Sequence, residues 1–325
     1  MNSFKKHSHF LKQILTLFVC AFFVLSCYKK HTKEKVVKPR VQLIAANNII
    51  TAGEALEIKY STLTSLKGFK LFIKNSLNTS IVLPKFVNDQ MVFNIPETFI
   101  KKAGRLDYTL TFKKEKLDEG VINIKPLPKT KTIETYLGPN YITTLENEYA
   151  MLVSIPLDKY DNINRNKLKV KKTIRGNSTV FNHKNLEYVN YDRIFSMQKK
   201  GKIYLITIDK DTISKKKEIA VRASYATDFQ IAYNRNNQLA DGKEITEIKT
   251  SVITDKYGNI IENGSLVTFV INEEKNTYYG YATTINGIAT FKKVHPSLPK
   301  KISIQAFVDG FSKSNKIKLG YYNYE

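Results

Sequence analysis

Nucleophilic, acid–base and metal chemistry need Cys, His, Ser, Asp or Glu at spacings that let them converge. This chain of 325 residues holds two Cys and five His. Beyond the N-terminal segment the histidines are His31, His183 and His295. His183 sits in the polar stretch Phe181-Asn-His-Lys-Asn185 and His295 beside Pro296, so both are expected in solvent-exposed loops, apart from each other. Neither has Cys or carboxylates at ligand spacing, so no metal is expected. The nucleophile motif G-x-S-x-G is absent, and Asn263-Gly264-Ser265 reads as a turn into a strand. Asp158, Asp161 and Asp255 admit a calcium reading, but the EF-hand pattern is missing and turn capping is the simpler role. Glu273-Glu274 reads as a loop pair. No cofactor and no enzymatic activity are expected.

The sequence is more specific at its N-terminus. Residues 1–27 carry Lys5, Lys6 and Lys12 ahead of an apolar run from Ile14 to Leu25. A membrane-spanning helix needs about 20 apolar residues, so this run has the size of a signal-peptide core. It ends in Val24-Leu25-Ser26-Cys27, which resembles the bacterial lipobox. The resemblance implies diacylglycerol attachment at Cys27, cleavage before it, and stable anchoring by two or three acyl chains. Cys20 leaves with the signal. Residues 28–40 then carry six basic residues and one acidic, and read as a flexible tether. The tether is either a solubilising spacer or a contact for anionic headgroups.

From residue 41 onward short alternating runs are broken by Gly, Asn, Asp and Pro, and no sustained helical period appears. Leu56, Ile58 and Tyr60 alternate with charged residues, as do Ile302, Ile304, Ala306 and Val308 with polar ones. Such spacing predicts an all-β chain of sandwiches. An internal repeat sets their size. SIPLDKYDNI at 154–163 and SVITDKYGNI at 251–260 lie 97 residues apart, about one immunoglobulin-like domain. Gly104 and Gly201, each heading an alternating strand, keep the same offset. Three sandwiches follow, at 41–125, 133–221 and 222–325, with a Pro-containing linker at 126–132. In the repeated motif Asp158 and Asp255 start a turn; Tyr160, Asn162, Tyr257, Gly258 and Asn259 complete it. Gly258 and Asn259 are expected to accept positive φ, and Asp161 to do so in place of Gly258.

The third sandwich resembles bacterial immunoglobulin-like domains of the invasin and intimin type. The residues that carry this are Ala240-Asp241-Gly242, Asp255-Lys-Tyr-Gly258-Asn259 and Leu266-Val-Thr-Phe269. The resemblance implies a spacer or adhesion module without catalytic activity, and implies no particular ligand. The expected fold class is therefore tandem immunoglobulin-like β-sandwiches after a signal peptide and flexible tether.

Lys+Arg number 52 against 29 Asp+Glu, a net charge of +23. Removal of the signal takes three lysines and leaves +20. Only seven of the basic residues are Arg, the type favoured for bidentate phosphate recognition. Export and this Lys bias argue against nucleic acid as a partner. Lysine pairs at strand ends either block edge-to-edge aggregation or face an anionic glycan or lipid surface. Tyr278-Tyr279-Gly280-Tyr281 and Tyr321-Tyr322-Asn323-Tyr324 are either contact surfaces or half-buried strand positions. Asp211-Thr212-Ile213 resembles the O-glycosylation motif of exported Bacteroidetes proteins, whose composition this chain resembles, and makes Thr212 a candidate acceptor. Surface lipoproteins of that group tend to carry an acidic tag after the Cys. Lys29 and Lys30 stand there instead. The expectation is an outer-membrane lipoprotein facing the periplasm, with an envelope protein as partner. A surface adhesin or glycan-binding module is the alternative.

Overall fold

The computed structural model describes residues 38–62, 67–274 and 276–323. The signal peptide, the lipobox Val24, Leu25, Ser26, the lipid-attachment residue Cys27, and tether residues 28–37 lie outside the described residues. The described chain is almost entirely β. The first set of strands is β1 (Val41–Ala45), β2 (Ile49–Thr51), β3 (Glu57–Thr62), β4 (Phe69–Lys74), β5 (Thr79–Val82), β6 (Lys85–Val87), β7 (Gln90–Asn94), β8 (Gly104–Phe112) and β9 (Glu115–Lys125), with one helical turn, α1 (Glu97–Ile100). They form two sheets, ordered β1-β3-β7-β6 and β2-β9-β8-β4-β5.

The second set is β10 (Thr132–Gly138), β11 (Tyr141–Thr143), β12 (Tyr149–Leu157), β13 (Lys169–Ile174), β14 (Asn177–Asn182), β15 (Lys184–Leu186), β16 (Val189–Phe195), β17 (Gly201–Asp209), β18 (Thr212–Ile213) and β19 (Lys217–Arg222). Its sheets run β10-β12-β16-β15 and β11-β19-β17-β13-β14, with β18 on β17. The third set is β20 (Ile231–Asn234), β21 (Ile245–Thr250), β22 (Leu266–Glu273), β23 (Asn276–Thr283), β24 (Thr290–Val294), β25 (Lys300–Val308) and β26 (Ser312–Tyr321), in sheets β20-β21-β24 and β23-β22-β25-β26.

Alternation explains why these segments are strands. From the third residue of β8, β17 and β25 onward every second residue is buried and the residues between are half-exposed. One face enters a core and the other meets solvent. By contacts the chain divides into two compact units. The first gathers the described residues up to Asn48 with those of Ala55–Phe99 and Arg105–Asn123. Its interior holds Ile58, Tyr60, Leu71, Ile73, Met91 and Phe93. The second comprises Ile49–Glu54, Ile100–Gly104 and everything described from Ile124 onward.

The second unit has two apolar cores. One is built on Ile142, Leu152, Val170, Ile194, Ile203 and Ile219. The other is built on Ile248, Val267, Phe269, Ile304, Ala306 and Tyr321, with Phe291 stacked on Phe269 at 5.1 Å between centroids. Each fully buried aliphatic or aromatic side chain contributes about 1.5–3 kcal/mol. Gly280 is required beneath Phe291: a Cβ there would lie 2.4 Å from two ring carbons.

Candidate functional site

The repeated turn is the most elaborate polar site in the second unit. Asp255 lies in the loop between β21 and β22 and is 2% exposed. Its Oδ1 accepts the backbone N–H of Tyr257 and of Asn259, both at 2.9 Å. Its own N–H donates to the Asn259 carbonyl at 2.9 Å. Gly258 closes the turn at φ +75°, a left-handed conformation that costs glycine nothing. The other carboxylate oxygen reaches outside the turn. Oδ2 accepts the Thr144 hydroxyl at 2.5 Å and the Ser224 N–H at 3.1 Å. Thr144 directly follows β11, and Ser224 lies two residues past β19 in the segment leading to β20, so the carboxylate ties the β21–β22 loop both to the second set of strands and to the connection between the second and third sets.

Asn259 extends the same tie. Its Nδ2 donates to the Gln198 carbonyl at 2.7 Å, and its Oδ1 accepts the Lys200 N–H at 3.0 Å. Both partners lie in the loop joining β16 to β17. The lysines there reach back: Lys199 Nζ donates to the Tyr257 carbonyl at 2.8 Å and Lys200 Nζ to the Ile260 carbonyl at 2.9 Å. At the rim, Glu146 accepts both the Tyr257 hydroxyl at 2.8 Å and Lys256 Nζ at 3.0 Å.

The same network stands 97 positions earlier, also among residues of the second unit. Asp158 Oδ1 accepts the Tyr160 and Asn162 N–H groups at 2.7 and 3.0 Å, and Oδ2 accepts the Leu127 N–H at 2.8 Å. Asn162 Nδ2 donates to the Lys101 carbonyl at 2.8 Å, and Asn162 Oδ1 accepts the Ala103 N–H at 2.8 Å. Lys101, Ala103 and Leu127 are offset by 97 from Gln198, Lys200 and Ser224. Asp161 takes the place of Gly258 with φ +58°, as the sequence suggested. Gly53, at φ +87°, makes room for Tyr160: a Cβ there would lie 2.5 Å from its hydroxyl.

One expectation about this motif needs correcting. Neither Asn259 nor Asn162 adopts positive φ. The residue after the left-handed position returns to ordinary backbone, and its amide side chain is freed to bridge two loops. The electrostatics fit this role. Burial alone would raise the Asp255 pKa, but hydrogen bonds from Thr144, Asn259 and Ser224 outweigh it and hold it at about 2. Asp158 is lowered in the same way, against burial, by donors from Asn162, Leu127 and Tyr160. N–H and O–H donors fill both carboxylates, which suits them to binding loops rather than a cation.

The two histidines are not exposed. His183 is 4% and His295 2% exposed. His183 Nδ1 lies 2.7 Å from Asp192 Oδ2, its Nε2 lies 3.0 Å from Ser154 Oγ, and Ser154 Oγ lies 2.9 Å from Thr207 Oγ1. The types are those of a catalytic triad, which no spacing in the sequence announced. Their position decides the chemistry. Ser154 is an inward residue of β12 with no exposed surface, and its hydroxyl is shared with Thr207 on the facing sheet. A substrate carbonyl has no approach, so the group acts as a polar clamp between sheets. Burial lowers the His183 pKa, more strongly than Asp192 raises it. His295 likewise joins Thr246 Oγ1 at 3.0 Å and the Leu239 carbonyl at 2.9 Å, under the Tyr321 ring. Both histidines do lie in connections between strands, as expected, but the flanking strands turn their rings inward.

Other candidates are placed more simply. The Thr212 hydroxyl is half-buried and donates to the Thr130 carbonyl at 2.9 Å. Glu273 pairs with Lys300 at 3.0 Å and Lys293 at 3.6 Å. Tyr278, Tyr279 and Tyr281 are exposed on β23, whereas Tyr321 is buried. Among the described residues no group of three or more His, Cys, Asp or Glu is disposed to hold a metal, and no helix is long and apolar enough to cross a membrane.

No family model and no curated protein sequence matches the chain. Solved structures do. Invasin, described as a bacterial integrin-binding protein, is 12% identical over 88% of this chain, with a TM-score of 0.52. The chain spans 60% of the invasin chain. InvD of Yersinia pseudotuberculosis is 11% identical over 87% of this chain and 98% of its own, with a TM-score of 0.50. At such identities the likeness concerns fold. The chain has the all-β, immunoglobulin-like sandwich architecture found in invasin and InvD.

Proposed function

We propose that this chain is a non-enzymatic envelope lipoprotein, anchored through Cys27 and facing the periplasm, that serves as a spacer and interaction subunit of an outer-membrane assembly. The observation that carries the reading is the Asp-x-Tyr-x-Asn lock, present at 158–162 and 255–259. A chain that only tethered independent domains would have no use for the Asp255 carboxylate and Asn259 amide, which join the third set of strands to the second within one compact unit. A spacer needs such joints, because a partner bound at one domain must be held at a fixed offset from the next. The lipobox supplies the anchor, and the basic tether suits an anionic leaflet.

The test has two arms. Cys27→Ala should release the protein from the membrane fraction, and unchanged retention contradicts the anchor. In-cell crosslinking of the wild-type protein should recover an envelope protein, whereas migration as a monomer alone contradicts the assembly role. The likeness to invasin and InvD favours a second reading, a surface adhesin. Added protease on intact cells separates the two: the periplasmic reading predicts protection, and the adhesin reading predicts cleavage.

A further inference from the structure

The outer face of the sheet β23-β22-β25-β26 has no partner in the described structure. Strand register fixes its layout in three rows. Thr277, Asn272, Ser303 and Lys318 form one; Tyr279, Val270, Gln305 and Lys316 the next; Tyr281, Thr268, Phe307 and Lys313 the third. Adjacent strands lie about 4.8 Å apart and same-face residues about 7 Å apart, so the face spans about 14 Å from the β23 tyrosines to the β26 lysines. Tyr279 and Tyr281 are 59% and 61% exposed. None of the twelve positions is acidic. Lys313, Lys316 and Lys318 are exposed, and their ammonium groups have no carboxylate partner among the described residues; Asp228 meets only the backbone N–H of Lys313.

We propose that this face binds a carboxylate-bearing polysaccharide, with sugar rings stacked on Tyr279 and Tyr281 and carboxylates drawn to Lys313, Lys316 and Lys318. The proposal rests on the interaction reading above and names a ligand class for it. Three features select this occupant. Two exposed tyrosines on one strand face give a flat apolar strip with C–H-accepting rings, suited to pyranose faces. The centre is polar with free capacity. Asn272 accepts the Thr277 hydroxyl at Oδ1 and keeps Nδ2, while Gln305 donates from Nε2 to the Ser314 carbonyl and keeps Oε1. A protein partner would call for a desolvated apolar centre, whereas of the six central positions Thr268, Val270, Asn272, Ser303, Gln305 and Phe307 only Val270 and Phe307 are apolar. Charge complementarity supplies the acidity: three lysines without a carboxylate partner among the described residues stand at one margin, and no acid on the face opposes an anion.

The net positive charge makes any polyanion stick weakly, so the test must separate site from charge. The full chain, solubilised in mild detergent, is titrated with oligomers of polygalacturonate. The triple variant K313Q/K316Q/K318Q should lose at least about tenfold in affinity. The equally neutralising control K70Q/K74Q/K85Q, at exposed lysines elsewhere, should lose less than about twofold. Tyr279→Ala/Tyr281→Ala should also lose about tenfold, with an unchanged salt dependence. Equal losses in the two lysine variants, or no effect of the tyrosines, overturns the proposal. So does equal, tyrosine-independent binding of poly-L-glutamate or of anionic phosphatidylglycerol vesicles, since that would assign plain polyanion attraction. These results stand whether or not Cys27→Ala releases the protein from membranes.

Discussion

Replacing Asp255 by Asn keeps the shape of the side chain and removes its charge. Oδ1 can still accept the Tyr257 and Asn259 N–H groups, but the new amide turns its donors toward Ser224 N–H and Asn259 Nδ2, which now sit 3.1 and 3.0 Å from Oδ2. The size of the loss follows from the titration. A carboxyl held at about 2 instead of its ordinary 3.8 is stabilised in its charged form. That difference corresponds to about 2 kcal/mol, and a donor-to-donor clash adds about 1–3 kcal/mol, so the expected destabilisation of Asp255→Asn is about 3–5 kcal/mol. The sign with pH is fixed. The folded pKa is depressed, so the contribution is complete above the unfolded value and is lost as pH falls toward about 2. Urea unfolding followed by circular dichroism should therefore show the full deficit of the variant near pH 7, shrinking below about pH 4 as the wild-type carboxylate protonates. A deficit that is absent at neutral pH, or that does not narrow in acid, would refute the reasoning.

Further outcomes follow from other buried contacts. Burial lowers the His183 pKa, so its contribution is present above the unfolded value of about 6.5 and is lost as pH falls below it. Thermal melts should decline from about pH 7 to pH 5 in the wild type and less so in His183→Gln; parallel curves would contradict a neutral, buried imidazole. Gly280→Ala should lower the urea midpoint by the equivalent of about 1–3 kcal/mol, because its Cβ meets the Phe291 ring, and an unchanged midpoint would contradict that packing. Asn162→Ala should destabilise by about 1–3 kcal/mol through loss of its bonds to Lys101 and Ala103, and a neutral effect in urea would deny it a bridging role.

The strands were legible because their alternation is strict. Ile302, Ile304, Ala306 and Val308 announce an inward face with no tertiary knowledge. The turn was legible for the same local reason: Asp, Gly and Asn in that order specify a tight loop wherever they occur. What the turn binds was not legible. The acceptor for Asn259 Nδ2 is a main-chain carbonyl at Gln198, 61 residues away, and a backbone group leaves no mark in composition. The 97-residue offset held the clue, since Gly201 beside Lys200 and Gly104 beside Ala103 repeat together with the turn. The Ser154–His183–Asp192 cluster was hidden differently. His183 has polar neighbours on both sides, and only the pairing of Lys184 with Tyr191 across β15 and β16 brings its ring beside Asp192. The exposed tyrosines of β23 could not be told from buried ones, because position on an edge strand is a property of the sheet.

Hydrogen exchange at one amide tests the interdomain lock most directly. The Lys200 N–H donates to Asn259 Oδ1 at 3.0 Å, a bond that exists only while the loop of the third sandwich is seated on the second. In Asn259→Ala the Lys200 amide should exchange at least about tenfold faster, while the Ile304 amide in β25 keeps its protection. Unchanged protection at Lys200, with the side chain of Asn259 removed, would contradict the account.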